Sequence, residues 1–204
     1  MSQSQPALPL GYTMLPRGQI ATLVTYLEMT RRPPQRPSPA GDGLALRAFG
    51  GSDIGAYRKL FRRVGEEWLW CSRLIMADAQ LKALLADPKV KVKVLLQDGQ
   101  PAGLLELDFR GDGECELAYF GLAPEAIGRG AGRYMMNEAI AMAWTKPIRR
   151  FFVHTCSLDH PAALDFYRRS GFRPYALAVE VLQDPRLAGL LPLSAAAHVP
   201  LIEA

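Results

Sequence analysis

A glycine-rich turn is the part of this sequence best suited to chemistry. Gly128-Arg129-Gly130-Ala131-Gly132 follows an apolar strand pattern that ends at Leu122 and precedes a segment with helical spacing. Glycine lets successive backbone N–H groups converge on one point, and a helix N-terminus adds partial positive charge there. Arg129 and Arg133 would add full charges. The turn predicts a phosphate site, although such a turn alone is also typical of a tight connection without a ligand.

The elements around the turn can be predicted from periodicity. Residues 91–96 alternate between charged and apolar types, Asp98-Gly99 is a hairpin signal, and the pattern continues as a meander of three antiparallel strands. Asp53 and Asp78 are candidate helix caps, and Gly171 closes a later helix. The predicted strands cover residues 44–49, 91–96, 102–109, 114–122, 151–156 and 175–182, and the predicted helices cover 53–64, 78–86, 134–144 and 161–169.

The chain divides into an extension, a main domain and a tail. Residues 1–43 are predicted to be an extension with one strand at 19–29 and a Pro-rich linker from Arg31 to Gly43. We expect that strand to lie outside the main domain, where it would complete the sheet or join a partner subunit in a homodimer. The main domain would span 44–182, and residues 183–204 form a tail without a recognisable pattern.

Two motifs at matching separation resemble the GNAT acyltransferase superfamily, over about Leu44 to Val181. Its phosphate signature, Gln/Arg-x-x-Gly-x-Gly/Ala after a strand, matches Ile127-Gly128-Arg129-Gly130-Ala131-Gly132, with Ile127 in place of Gln or Arg. Its later helix commonly has the sequence Asn-x-x-Ala-x-x-x-Tyr-x-x-x-Gly-Phe. Here the segment His160-Pro161-Ala162-Ala163-Leu164-Asp165-Phe166-Tyr167-Arg168-Arg169-Ser170-Gly171-Phe172 differs only by His160 in place of Asn.

The resemblance implies a fold and an acyl donor. The fold would be the α/β (α+β) GNAT fold, a mixed sheet that splays open between the strands at 114–122 and 151–156, with helices on both faces. Acetyl-CoA or a longer acyl-CoA would be the donor. Its pantetheine arm would lie in the gap, next to Leu122, and Gly121 would admit it closely. The cofactor-binding residues would be Leu122, Gly128, Arg129, Gly130, Ala131, Gly132, Arg133 and His160.

The same resemblance suggests two catalytic residues. Tyr167, at the position of the family tyrosine, would protonate the leaving thiolate, or else serve as a core aromatic beneath the cofactor. Glu116 would act as a base through water, or else be a solvated strand carboxylate. His154 is the other candidate base, although a satisfied, partly buried histidine is the more common role for such a residue. His160 would cap its helix or contact the cofactor, or else be merely exposed.

The aromatic pair and the cysteines have plainer interpretations. Trp68 and Trp70 fall where GNAT proteins shape the acceptor pocket, but paired tryptophans are more often core residues. Cys71, Cys115 and Cys156 are an odd number of widely spaced cysteines, so neither disulfides nor a zinc site is predicted. No residue is arranged as a covalent nucleophile.

Composition narrows the function classes. The chain has 204 residues and a net charge of +4, with basic residues dispersed rather than clustered, which does not favour nucleic-acid binding. No apolar stretch approaches the ~20 residues that a membrane span needs, so we expect a cytoplasmic protein. The leading hypothesis is an N-acetyltransferase that acts on a small-molecule amine. The alternative is a non-catalytic protein that binds or senses acyl-CoA.

Overall fold

The computed structural model describes residues 8–37, 43–51 and 53–203. Its centre is a seven-stranded mixed sheet with the strand order β2-β3-β4-β5-β6-β1-β7. The strands are β1 (Gln19–Met29), β2 (Leu44–Ala48), β3 (Val90–Gln97), β4 (Gln100–Asp108), β5 (Glu114–Leu122), β6 (Arg150–Cys156) and β7 (Arg173–Gln183). The helices are α1 (Ile54–Gly65), α2 (Ser72–Ile75), α3 (Asp78–Ala86), α4 (Ala131–Ala143) and α5 (Ala163–Arg169).

The meander of β3, β4 and β5 forms as its alternating pattern predicts. Asp98 and Gly99 both adopt positive φ, 51° and 78°, which is the backbone conformation of a two-residue hairpin that matches strand twist. β4 is buried along most of its length because helices cover both sides of it. One core cluster joins the sheet to α4 and α5, and a second cluster joins it to α1 and α3. The predicted mixed sheet with helices on both faces is therefore confirmed.

β5 and β6 are paired only where they begin. Their parallel register runs through Glu114↔Arg150, Cys115↔Phe151 and Glu116↔Phe152 and then ends. Beyond Glu116, β5 pairs with β4 alone, and a register shift against β4 leaves Ala118 as an extra residue. Such a bulge bends and twists its strand. The sheet thus opens between these two strands, as predicted.

β1 occupies an internal position in the sheet. It pairs antiparallel with β6 from Val24 to Met29 and with β7 from Gln19 to Glu28. Of its two expected positions, the strand takes the one that completes the sheet. The boundaries at residues 43 and 182 stay a prediction, and residues 38–42 of the linker lie outside the described residues.

The two predicted helix caps have different outcomes. Asp53 caps α1, since its side chain accepts a hydrogen bond from the Ala56 backbone N–H at 2.9 Å. The prediction for Asp78 is wrong by one residue: Ala77 is the N-cap of α3, and Asp78 is the first helical residue. There its carboxylate complements the positive end of the helix dipole and forms an ion pair with Arg58.

The tail folds back around one buried ion pair. Arg186 and Asp184 are both 2% exposed, and the guanidinium also donates to the carbonyl oxygens of Ala195, Val199 and Pro200. Apolar residues of the tail pack on Ile20, Leu69 and Leu158 in a third core cluster. Among the described residues, no helix combines the length and apolar character needed to cross a bilayer.

Candidate active site

A cavity of about 350 Å³ lies against the part of β5 that no longer pairs with β6. Its wall on the β5 side includes Phe120, Gly121 and Leu122, and α5 contributes Phe166 and Tyr167. The glycine-rich turn and the first residues of α4 form its other end. One cavity therefore joins the end of β5, the turn and the α5 tyrosine.

The turn presents an open set of backbone donors. Gly128 and Gly130 have φ of 83° and 82°, a left-handed conformation that favours glycine, and Gly130 is the N-cap of α4. Within the part of the chain that the structure describes, the backbone N–H groups from Gly128 to Arg133 donate to no acceptor. A helix N-terminus with such free donors is suited to an anion.

Tyr167 lies at the inner wall of the cavity. It is 7% exposed and packs against Phe120, Phe166 and Phe172 with ring-centroid distances from 5.7 to 6.3 Å. Burial, followed by the negative charge of Asp159, raises the pKa of its phenol, so the hydroxyl is protonated at neutral pH. A protonated phenol at this wall is a proton donor for a group bound in the cavity.

Glu116 lies on the other face of the sheet. Its neighbours Cys115 and Leu117 belong to the core cluster that contains Tyr167, so the intervening side chain points away from it. Glu116 does not line the cavity. Its Oε1 atom is 3.5 Å from Nδ1 of His154, which is 47% exposed. The His154 ring donates a hydrogen bond to the Glu116 carboxylate, which raises the His154 pKa, although partial burial opposes the shift.

His160 and the two tryptophans form the outer wall. Nδ1 of His160 accepts a hydrogen bond from the Ala162 backbone N–H at 3.0 Å. The centroid of the His160 ring lies 5.3 Å from that of Trp68. His160 is thus both a local cap and a cavity-lining residue. Trp70 packs on Tyr119, and its Nε1 atom donates to Asp159 at 3.3 Å. Trp68 and Trp70 both border the cavity.

Gly121 is required for packing. A Cβ at this position would lie 2.4 Å from Val64 and 3.0 Å from Trp70. Glycine therefore lets α1 and Trp70 approach β5, which positions the tryptophan at the cavity. Its expected role in admitting an acyl donor stays a prediction.

Most of the residues predicted to bind the donor reach the cavity. Arg129 is exposed and Ala131 is buried in the core, and neither lines the cavity, although both contribute backbone to the turn. The predicted residues that do line it are Leu122, Gly128, Gly130, Gly132, Arg133 and His160.

Two arginines that line the cavity were not predicted from the sequence. Arg36 comes from the Pro-rich segment, which has no periodicity, and Arg169 ends α5 beyond the tyrosine. Arg169 lies two residues after Tyr167 in the second motif, and that position is the signal that could have identified it. Nothing in the local sequence around Arg36 indicates that it reaches the cavity.

The cysteines show no activation. All three thiols are free, and burial raises the pKa of Cys71, Cys115 and Cys156. Thiols with a raised pKa stay protonated and are weak nucleophiles at neutral pH.

Comparison with known proteins agrees with this architecture. Residues 57–172, more than half of the chain, match the model of the Acetyltransferase (GNAT) family. No curated protein sequence matches the chain.

Solved structures resemble it at low identity. A GCN5-related N-acetyltransferase from Sphaerobacter thermophilus aligns with a TM-score of 0.62 and 15% identity, over 80% of this chain and 52% of that one. A conserved protein of unknown function from Staphylococcus epidermidis aligns with a TM-score of 0.59 and 15% identity, over 82% of this chain and 63% of that one. This chain thus spans between half and two thirds of the length of these two proteins.

A third structure, an aminoglycoside acetyltransferase from an uncultured soil metagenomic sample, gives a TM-score of 0.53 and 18% identity, over 64% of this chain and 88% of that one. At such identities the likeness establishes the fold. The match to the family model over more than half of the chain shows that the chain belongs to the GNAT acetyltransferase family.

Proposed function

We propose that this protein is an N-acetyltransferase that moves the acetyl group of acetyl-CoA to a primary amine by direct attack in a ternary complex. The observation that carries the proposal is a single cavity against the unpaired end of β5, with free backbone donors at one end and the Tyr167 phenol at its wall.

The cavity has the chemical features that acetyl-CoA requires. The donors of residues 128–133 are suited to its pyrophosphate, and Arg133 at the same end of the cavity adds positive charge for its phosphate groups. Among the described residues, no strand pairs with the β6-facing edge of β5 beyond Glu116, so its backbone groups are available to the pantetheine amides. An N–H near Leu122 would face the thioester oxygen.

The reaction needs two proton transfers. The amine nitrogen attacks the thioester carbonyl carbon, the new C–N bond forms, and the C–S bond breaks. The thiolate takes its proton from the Tyr167 hydroxyl, and the nitrogen loses a proton to a base. We assign the base to Glu116, acting through water from the face of the sheet opposite Tyr167, with His154 as its hydrogen-bonded neighbour.

The acceptor we propose is a small molecule. The outer wall of the cavity is aromatic, with Trp68 and Trp70, and aromatic side chains are typical of sites that bind small molecules. One structurally similar protein is an aminoglycoside acetyltransferase, which fits an amine-bearing small molecule as the acceptor class. The free thiols suit the reducing cytoplasm, to which we assign the protein.

An acceptor screen tests this function. Purified protein is incubated with acetyl-, propionyl- or butyryl-CoA and a panel of amines, and free CoA release is followed. We expect acceptor-dependent release that is fastest with acetyl-CoA. If acetyl-CoA binds but no amine raises CoA release above the rate without acceptor, the protein is a binder or sensor. If no acyl-CoA binds, both functions are wrong.

A further inference from the structure

Three arginines from separate parts of the chain converge on the cavity. Arg36 precedes the region that matches the family model, Arg133 is in the first turn of α4, and Arg169 is the last residue of α5. All three line the cavity beside the glycine-rich turn. The N-terminal segment therefore contributes directly to this site.

Specific hydrogen bonds hold Arg36 in place. Its carbonyl oxygen accepts from Nδ2 of Asn137 at 2.9 Å, and its guanidinium donates to Oγ of the buried Ser170 at 2.9 Å. The Arg133 guanidinium also donates to the Pro37 carbonyl oxygen at 3.5 Å. α4 and the end of α5 thus fix a segment that has no regular structure of its own.

The cluster is electrostatically unbalanced. The pKa of Arg36 is lowered first by burial and then by the positive charges of Arg133 and Arg169. Within the described ranges, none of the three forms an ion pair with a carboxylate, whereas the adjacent Arg168 pairs with Asp165. Like charges gathered in this way repel one another, and a bound anion would relieve that repulsion.

The glycine-rich turn already supplies donors for one anionic group. Coenzyme A carries, besides its pyrophosphate, a phosphate monoester on the ribose, whose charge near neutral pH is about −1.5 to −2. Guanidinium groups bind phosphate oxygens with paired, charge-assisted hydrogen bonds. A second anionic group of the same ligand therefore has a matching set of cations.

We propose that Arg36, together with Arg133 and Arg169, binds the ribose 3′-phosphate of the acyl donor, so that the N-terminal segment selects CoA over dephospho-CoA. This inference rests on the proposed function, because it assumes that the turn binds a CoA ester.

Calorimetry with CoA and dephospho-CoA tests the selection. For the wild type we expect dephospho-CoA to bind about tenfold more weakly, the size of one charged hydrogen-bonding interaction. Arg36→Gln should weaken CoA at least about threefold and leave dephospho-CoA within about twofold, so the preference shrinks. Arg36→Lys should keep part of the preference for CoA over dephospho-CoA. The matched control is Arg32→Gln, an exposed arginine of the same segment that does not line this cavity and should keep the full preference.

Other outcomes would overturn the inference. An unchanged preference in both Arg36→Gln and Arg169→Gln would exclude a 3′-phosphate contact. Equal weakening of both ligands would mean that the arginines only hold the segment in place. A wild type that binds both ligands equally would also contradict it and leave the proposed function intact, whereas a wild type that binds neither ligand would contradict both.

Discussion

The Tyr167 hydroxyl is a single group whose removal leaves the surrounding packing nearly unchanged. Its ring is held by Phe120, Phe166 and Phe172, and these contacts persist in Tyr167→Phe. A thiol pKa of ~8.5 makes thiolate a fair leaving group, so the lost proton should slow transfer by roughly ten- to a thousandfold. Acetyl-CoA affinity, measured by calorimetry, should stay within about threefold, since only a donor is lost.

The control for this variant is Tyr175→Phe, which removes the hydroxyl of a tyrosine on the exposed strand β7 and should transfer normally. Normal turnover by Tyr167→Phe would assign the proton to water and leave Tyr167 a packing role.

Glu116→Gln should change both the catalysis and the titration of His154. The variant should lower turnover and flatten the basic limb of the pH–rate profile. The His154 pKa, followed by NMR, should fall toward the ordinary value of about 6.5, because the hydrogen bond to a carboxylate is lost. Glu114→Gln, which alters the pairing with Arg150 instead, is the control.

The same pair makes stability depend on pH in a definite direction. A raised folded pKa means that the pairing stabilises the protein below about pH 6.5 and that this contribution is lost as pH rises through the folded pKa. Both side chains are partly exposed, so Glu116→Gln should lower the free energy of unfolding by less than about 1 kcal/mol at low pH and by less still at high pH.

For the catalytic role, an unaltered pH–rate profile in Glu116→Gln would leave Glu116 a structural carboxylate.

Residue-scale features were predictable from sequence when they belonged to a spaced motif. The positions of Tyr167 and His160 at the cavity could be predicted because Tyr167 lies four residues before Gly171 on a helix and His160 begins that motif. Arg36 and the Glu116–His154 pair depend on contacts between segments distant in sequence. No local pattern encodes such contacts.

At the scale of elements, the strand-turn-helix unit around Gly130 should be the part most sensitive to a Cβ. Gly130→Val places a β-branched residue at a φ of 82°, which reshapes the turn and its free N–H groups. We expect acetyl-CoA binding to be lost in calorimetry. Gly99→Val is the control, because Gly99 has a similar φ of 78° in the β3–β4 hairpin. Unchanged affinity in Gly130→Val would contradict the phosphate site.

The tail is a second element that can be tested by itself. Arg186→Met would leave Asp184 buried without its partner, and breaking such a pair costs about 3 kcal/mol. Limited proteolysis should then cleave residues 184–200 before the rest of the domain. Arg168→Met, which removes an exposed ion pair, should change stability by less than about 1 kcal/mol. Equal protease resistance of Arg186→Met and wild type would show that the tail does not depend on this guanidinium.

The meander and the β5-turn-α4 unit could be predicted from sequence because their signals are local: alternation, Asp98-Gly99 and the glycine-rich turn. The position of β1 could not, since its partners lie in residues 151–156 and 173–183, far along the chain. The tail forms around carbonyl groups bound to one arginine, a device that leaves no periodic pattern in the sequence.

At the scale of the whole molecule, the opening between β5 and β6 connects the two faces of the sheet. Tyr167 lies on the face covered by α4 and α5, and Glu116 and His154 lie on the other. Under the proposed function, donor and acceptor would meet in the gap from different sides. We therefore expect direct transfer in a ternary complex and no relay through the protein.

A single-turnover experiment on the full chain, with isotope-labelled acetyl-CoA and an accepted amine, tests this account most directly. Mass spectrometry would follow free CoA, the acetylated amine and the intact protein together. We predict that CoA and acetylated amine appear in equal amounts and at the same rate, with no acetyl label on the protein at any time. Label that passes through the protein, or CoA release without an acetylated amine, would contradict the account.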